Sequence, residues 1–531
     1  MSNRPPNILL IVVDCARSDR WVGAARTTRT PNVDRLCATG VVFPTTIVEK
    51  ACTTPSFSSL LTARYSPRHG VHNVWGDRLP DTIPMLTTAL ADGGYNTYAE
   101  VSGPLLPEMG LARGFHQYEY RAPCDYLHTT WGNDFIQRLR SGQYKAPWMI
   151  MLHLWELHPQ RQILPGFDEP GNGEDAYERS VSSLDSQLGR VFDAAGDALI
   201  LFTGDHGEKA LTEQYRAGTA VAYARDLLHI DEAEGMVPFE VAGWAGPSVL
   251  QQLYGTAAPL LREVNLRALQ KRPQFGRWTR WRDRLRLLWL TPWLTARDLL
   301  ALATPRKLTA MLKRSGLLDE ARSRRKVDRF KRILGEDRLL DMHLRMWLNS
   351  YKHNLGEGHM LHVYDFLVRV PLIMRCPGRL AAGRAHGRMV RQVDILPTVL
   401  DLAGIPQPPS DAIDGRSFRP LIDGQPWEPA PAYLSVSGLP RDLELRGVRT
   451  ETHKYTYGPH NPELPEELYD LQFDPREENN LAPHKRAQCT ELRTLAESML
   501  PNQAQAAATP MAVDAEDQRR VEQHLRDLGY L

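Results

Sequence analysis

Three uninterrupted apolar runs, each leading into polar residues, constrain this chain more than any other feature. Residues 7–14 read NILLIVVD, 148–154 read WMIMLHL and 198–203 read ALILFT. Apolar stretches without alternation are what parallel strands buried on both faces require. Helical patterns lie between them, such as TIPMLTTALADGG and the stretch from Tyr177 to Ala195. Strands alternating with helices predict an α/β fold with a mostly parallel central sheet flanked by helices. Ligands of such sheets sit beyond the carboxyl ends of the strands. That rule selects Asp14, the loop Glu156-Leu157-His158 and Gly204-Asp205-His206-Gly207, each placed where a strand should stop.

The pattern breaks from about Ala210 to Asn349, which is helix-rich and basic, and strand character returns at VRVPLIMRC, residues 368–376. The expected organisation is an α/β catalytic domain of 1–209 and 350–429, a helical insertion of 210–349, and a C-terminal antiparallel β subdomain of 430–531 with a helical tail. Residues 262–332 hold 21 Lys plus Arg against 6 Asp plus Glu, a local balance of +15 in a chain whose total is +1. Trp278, Trp281, Trp289 and Trp293 sit among leucines there, the spacing of an amphipathic element. A basic helical lid on an acidic body is one reading; peripheral contact with anionic lipid or capture of a polyanion are the others. No helix-turn-helix, zinc-finger or RNA-binding motif accompanies the charge, so no specific nucleic acid is expected.

Length and composition exclude several classes. At 531 residues, 42% hydrophobic and 24% charged, the chain is neither disordered nor a small disulfide scaffold. Its six cysteines include no C-x-x-C pair, which argues for reduced thiols and against structural zinc. The first apolar run is too short for a secretory signal, and no stretch of about 18 apolar residues offers a spanning helix. A cytoplasmic protein, peripheral to a membrane at most, is the expectation.

The most informative local stretch is CTTPSFSSLLT, residues 52–62. Pro55 suits the first position of a helix and Thr54 its cap, which would put Thr53 where free N–H groups and the dipole favour an anion. A hydroxyl there can be a nucleophile or simply part of a cap. Asp14, Asp205 and His206 are oxygen and imidazole donors of the kind a divalent ion uses, or else loop and capping groups. An ion holding the Thr53 oxygen would lower its proton affinity and activate it near neutral pH. Imidazole beside carboxylates suits Mn²⁺ or Zn²⁺ better than an all-oxygen Ca²⁺ site, with Mg²⁺ and Ca²⁺ the further candidates.

The segments PPNILLIVVD, TPNVDRL, TTPSFSSLLTARYSPRHGV, GLARGFHQYEY, FTGDHGE, RVPLIMRCPG, VDILPTVLDLAGI and LRGVRTETHKYTYG with EELYDLQFDPREENNLA follow one another along the chain. In that order they resemble the sulfatase-like branch of the alkaline phosphatase superfamily, over roughly residues 6–120, 145–208 and 350–485. The resemblance implies a metal-assisted nucleophile and transfer or hydrolysis of a phosphoryl or sulfuryl group. Three departures point away from sulfate. The family's formylglycine motif, C/S-x-P-S-R, has Thr53 at its first position and Phe57 at its arginine, with Cys52 one residue early. The Asp-Asp metal pair is reduced to Asp14 followed by Cys15, and the sulfate-binding G-K-W-H-L-G is replaced around Tyr98 to Leu105.

Asp14, Thr53, Asp205 and His206 then look like the single-metal set of phosphoesterases and phosphonate monoester hydrolases. His158, and His359 in GEGHMLHVYD, match family histidines that could protonate a leaving group; with Glu156 they could instead hold a second metal ion. Arg68 and His69 in SPRHG read as braces of the nucleophile helix, with substrate contact, shared with Glu156, as the alternative. The expected function is metal-dependent hydrolysis or phosphoryl transfer on a small or lipid-linked anionic phosphate or phosphonate ester, through a threonine intermediate. The rivals are a sulfate ester hydrolase and a catalytically silent scaffold that binds through its Trp- and Arg-rich insertion.

Overall fold

The computed structural model describes residues 4–208 except 25, 75–76 and 159–160, residues 362–436, residues 444–501 except 461–463 and 465, and the backbone of 511–512. The chain divides into two compact units, one of Met1–Ala210, Gly358–Leu439 and Glu444–Leu531, the other of Leu211–Glu357 with Pro440–Leu443. The second unit lies outside the described residues. So do the expected insertion of 210–349 with its basic stretch 262–332, and His359 of the first unit.

The described strands of the catalytic part are β1 (Ile8–Val13), β2 (Val41–Ile47), β3 (Asp77–Arg78), β4 (Asn96–Val101), β5 (Gln117–Tyr120), β6 (Trp148–Leu154), β7 (Leu199–Gly204), β8 (Arg369–Arg375), β9 (Arg384–Ala385) and β10 (Val390–Arg391). All but β3 join one nine-stranded sheet in the order β10-β2-β8-β7-β1-β6-β4-β5, with β9 beside β2. The three apolar runs are its centre: β1 pairs in parallel with both β6 and β7. The returning strand β8 is antiparallel to β2 and β7, so the sheet is mixed. An apolar pattern says that a strand is buried but not which way it runs.

Helices α1 (Ser18–Trp21), α2 (Pro31–Thr39), α3 (Thr53–Thr62), α4 (Ser66–His69), α5 (Leu86–Asp92), α6 (Thr130–Arg140) and α7 (Ala176–Ala194) precede the second unit. Side chains alternate between the faces of a sheet, and here the alternation sorts the core in two. Ile8, Leu10, Val12, Met149, Met151, Leu199 and Leu201 face Phe57, Leu60 and Leu61 of α3, with the helix Ile395–Ala403 on the same side. Leu9, Ile11, Val13, Ile150, Leu152, Leu154, Ile200 and Phe202 face α2, α6 and α7 through residues such as Leu36, Phe135 and Leu184. The chain thus builds helix, sheet and helix layers around two apolar seams.

The C-terminal part forms a second, four-stranded antiparallel sheet, β11 (Ala432–Val436), β12 (Leu445–Arg449), β13 (His453–Tyr457) and β14 (Glu467–Asp470), in that spatial order. The helix Arg486–Ser498 covers it through Cys489, Leu492 and Ala496, packed on Val448, Tyr455, Tyr457 and Leu468. A short strand β15 (Met511–Ala512) pairs with β3.

Candidate metal centre

Register brings the candidate residues together. Val13 lies opposite Leu154 on one side and Gly204 on the other, so Asp14 and Asp205 leave the sheet at the same level. Alternation then fixes the direction. Asp14 continues the series Leu10, Val12, and Asp205 continues Leu199, Leu201, so both carboxylates fall on the face covered by α3.

Helix α3 begins at Thr53, with Cys52 in extended backbone as its cap residue. The Cys52 carbonyl accepts the first helical hydrogen bond, from the Ser56 N–H at 3.0 Å. This corrects the expectation that Thr54 caps the helix and Pro55 opens it. Proline lacks only an N–H, and the first turn leaves those groups without helical partners anyway, so Pro55 fits as the third residue. The Thr54 hydroxyl instead donates to the Val74 carbonyl at 2.7 Å. The shift puts Thr53 itself in the first turn.

The Thr53 hydroxyl lies 3.2 Å from Asp14 Oδ2 and 3.3 Å from His206 Nε2. His206 Nδ1 is 2.8 Å from the Gly207 carbonyl, which assigns its proton to Nδ1 and leaves Nε2 as an acceptor. Asp205 Oδ1 accepts the His206 N–H at 2.8 Å, while Asp205 Oδ2 stands 3.5 Å from His206 Nε2. Asp14, Asp205 and His206 are fully buried, and Thr53 keeps 3% exposure. One hydroxyl proton is therefore surrounded by acceptors. Among the described residues, Asp14 Oδ1 and Asp205 Oδ2 have no hydrogen-bond partner. Burial, reinforced by the Asp205 charge, pushes the Asp14 carboxyl well above the usual carboxylate range. Buried carboxylate oxygens left without a donor are costly unless a cation completes them, and these ligand types fit a divalent ion.

Sequence reasoning missed one member. His153 on β6 is fully buried, and its Nε2 lies 3.9 Å from Asp14 Oδ2 with no hydrogen-bond partner among the described residues. Its signal was parity: it follows Met149 and Met151 on the α3 face, opposite Val12, and its ring meets Phe57 of α3 edge-on at 5.0 Å. Potential ligand atoms of Asp14, His153 and Asp205 lie within 4.8 Å of one another, as do those of Asp14, Cys15 and His206. Cys15 has φ of 61°, and its thiol donates to Glu208 Oε2 at 3.4 Å.

Other candidates are placed elsewhere. Glu156 is buried with Oε1 accepting the Leu127 N–H at 2.9 Å, and no ligand cluster among the described residues includes it or His158. Glu156 is turned toward Leu127 and Arg121, and His359, the further member of the expected second-ion set, lies outside the described residues. The His158 ring stacks on Trp155 at 4.0 Å and is partly exposed. Arg68 pairs with Asp414 at 2.8 Å and donates to the Asp411 carbonyl at 2.6 Å. His69 is fully buried, with Nε2 3.0 Å from the Ser59 hydroxyl and Nδ1 accepting the Val71 N–H at 3.1 Å. Both tie α3 and α4 to their surroundings. Glu49 adds to this brace, accepting from the Ser66 N–H at 2.7 Å and the Ser435 hydroxyl at 2.7 Å.

Gly207 sets the end of the His206 loop. Its N–H donates to the Leu367 carbonyl at 2.7 Å, and a Cβ at Gly207 would stand 2.0 Å from the Phe366 carbonyl oxygen. Gly207→Ala is expected to cost about 1–3 kcal/mol, as overpacking does, and to weaken divalent-ion binding by displacing His206; thermal unfolding and calorimetric titration measure both.

The comparisons with known proteins agree with this frame. The family described as Sulfatase matches residues 6–231, and N-sulphoglucosamine sulphohydrolase, C-terminal, matches residues 359–505. Both matches are consistent with the sulfatase-like branch of the alkaline phosphatase superfamily, which the sequence segments resemble. The multifunctional alkaline phosphatase superfamily protein PehA of Trinickia caryophylli is 26% identical over 517 residues, 90% of this chain and 91% of that one. The N-acetylglucosamine-6-O-sulfatase of Bacteroides thetaiotaomicron is 34% identical, but over only 22% of each chain. The phosphonate monoester hydrolase of Agrobacterium radiobacter shares the fold with a TM-score of 0.55 at 18% identity, covering 94% of this chain and 96% of that one. The chain thus shares its fold with sulfatases and phosphonate monoester hydrolases. Among the described residues, no helix is long and apolar enough to cross a membrane.

Proposed function

We propose that the protein is a metal-dependent hydrolase or phosphoryl transferase of phosphate or phosphonate esters, with Thr53 as nucleophile and Asp14, Thr53, Asp205 and His206 as the ligands of one divalent ion, Mn²⁺ or Zn²⁺ before Mg²⁺ or Ca²⁺. The observation that carries this reading is the Thr53 hydroxyl set between Asp14 and His206, beside the Asp14 and Asp205 carboxylate oxygens that have no hydrogen-bond partner among the described residues. A bound divalent ion would lower the proton affinity of that hydroxyl and offset charge on the transferring group.

Each remaining step belongs to the chain. Thr53 Oγ forms a bond to phosphorus as its proton passes to the Asp14 carboxylate it faces and the ester P–O bond breaks, and the leaving oxygen takes a proton, with the partly exposed His158 as its donor. Water, or an alcohol acceptor in a transfer reaction, then attacks phosphorus and returns Thr53. The first turn of α3 presents N–H groups toward the anion throughout. Cys52 is a poor rival nucleophile: burial pushes its thiol up to about 12, so it is protonated near neutrality. The substrate in this reading is a small or lipid-linked anionic ester, met in the cytoplasm or at a membrane surface.

A sulfate ester hydrolase is the second reading, favoured by the descriptions of both matching families. An aryl phosphate, a phosphonate monoester, a phosphodiester and an aryl sulfate assayed side by side separate the two. The expected result is faster turnover of a phosphorus ester, abolished by chelation and restored by Mn²⁺ or Zn²⁺. A dominant rate on the sulfate reverses the order, and rates indifferent to chelation remove the ion from the reaction.

A further inference from the structure

Resting on the ion site proposed above, we infer that His153 is an additional ligand of the ion and supplies the donor lost where Cys15 follows Asp14. The His153 ring is oriented as ligand imidazoles are. Its Nδ1 lies 3.1 Å from the Ser102 carbonyl, which places the ring proton there and turns the Nε2 lone pair toward the cluster. That Nε2 is fully buried and has no hydrogen-bond partner among the described residues. Its 3.9 Å separation from Asp14 Oδ2 leaves room for an ion between them, since metal–donor bonds to histidine and carboxylate are about 2.0–2.2 Å.

Three contacts hold the imidazole where it is. Phe57 meets the ring edge-on at 5.0 Å, Trp155 meets it at 5.6 Å, and the Ser102 carbonyl fixes its rotation. Gly103, next to Ser102, has φ of 68°, and a Cβ there would stand 2.4 Å from the Trp155 ring, so the carbonyl and the indole approach as closely as they do only because residue 103 is glycine. Cys15 is the competing donor: its Sγ clusters with Asp14 and His206, and its thiol donates to Glu208 Oε2 at 3.4 Å. With His153 the set becomes two imidazoles, two carboxylates and one hydroxyl. Nitrogen donors raise affinity for Zn²⁺ and Mn²⁺ far more than for Ca²⁺, whose ligands are oxygens.

The test counts nitrogen ligands on the full-length chain loaded with Mn²⁺, by electron spin echo modulation, and follows Zn²⁺ and Ca²⁺ binding by competition titration. Two imidazole nitrogens are expected in the wild type and one in His153→Ala, with a loss of Zn²⁺ affinity of at least about tenfold and little change for Ca²⁺. His153→Gln, which preserves volume, keeps the comparison available if the alanine variant fails to fold, and the wild-type count needs no variant. A cobalt-loaded sample adds a check, because a thiolate ligand gives a charge-transfer band that imidazole does not. A wild type with a single nitrogen ligand, or a cobalt–thiolate band abolished by Cys15→Ala, overturns the role of His153 while leaving the ion site intact. A wild type that binds no divalent ion removes the ion site itself, and this inference with it.

Discussion

Thr53→Ala is expected to lower kcat/KM for a phosphorus ester by at least about 10³-fold, the scale on which removal of an attacking side chain acts, while Tm stays within a few degrees. The substitution takes away one hydroxyl and one methyl at a position where the backbone is already helical, and alanine is the best helix former. What disappears is the oxygen at 3.2 Å from Asp14 and 3.3 Å from His206. Two companions make the result specific. Thr53→Ser keeps the hydroxyl and should retain most of the rate. Cys52→Ala removes the neighbouring thiol and should be nearly silent, whereas a protein that relied on a matured residue at Cys52 would lose turnover. Steady-state kinetics with thermal unfolding on the three variants checks the set, and an active Thr53→Ala or an inactive Cys52→Ala contradicts the assignment.

Lys454→Met is expected to be among the most damaging changes away from the site. Lys454 on β13 is 1% exposed, and its Nζ lies 2.6 Å from Asp365 Oδ1, 2.6 Å from Glu477 Oε1 and 2.9 Å from the Val363 carbonyl. Arg449 reaches the other Asp365 oxygen at 3.2 Å. Removing the ammonium leaves two buried carboxylates facing each other, a loss of about 3–5 kcal/mol, and a fall in Tm on the order of 10 °C. The effect should extend to the ion site, because Asp365 precedes Phe366 and Leu367, against which Gly207 is packed. Adding Glu477→Gln to Lys454→Met should recover part of the loss by removing one uncompensated charge. A Tm shift of only a degree or two in Lys454→Met would show that the cluster is not structural.

Much of this arrangement is legible in the sequence, for physical reasons that differ from residue to residue. The runs at 8–13, 148–154 and 199–204 announce central strands because a strand buried on both faces has nowhere to put a polar side chain. Asp14 and Asp205 are conspicuous because each ends such a run. His153 is hidden by the same logic: inside an apolar run it reads as a tolerated core histidine until the register sets it opposite Val12 and on the face of α3. Glu156 and His158 stand out because they follow a strand end, but a sheet rule places a loop without aiming its side chains, and only the structure shows that Glu156 accepts from Leu127 and that the His158 ring stacks on Trp155. The start of α3 is misjudged by two residues because Pro55 is compatible with any position of a first turn. The antiparallel direction of β8 depends on pairing across more than a hundred residues of chain, which no local pattern carries.

The most direct test of the central claim is to trap the covalent intermediate. Full-length enzyme mixed with an aryl phosphate or phosphonate ester, quenched in acid during turnover and digested, should yield the peptide containing Thr53 heavier by one phosphoryl or phosphonyl group. That adduct should be absent from Thr53→Ala and from enzyme stripped of divalent ions. An adduct on Cys52 or on any other residue, or continued turnover of wild-type enzyme with an unmodified Thr53 at every quench time, would contradict the account.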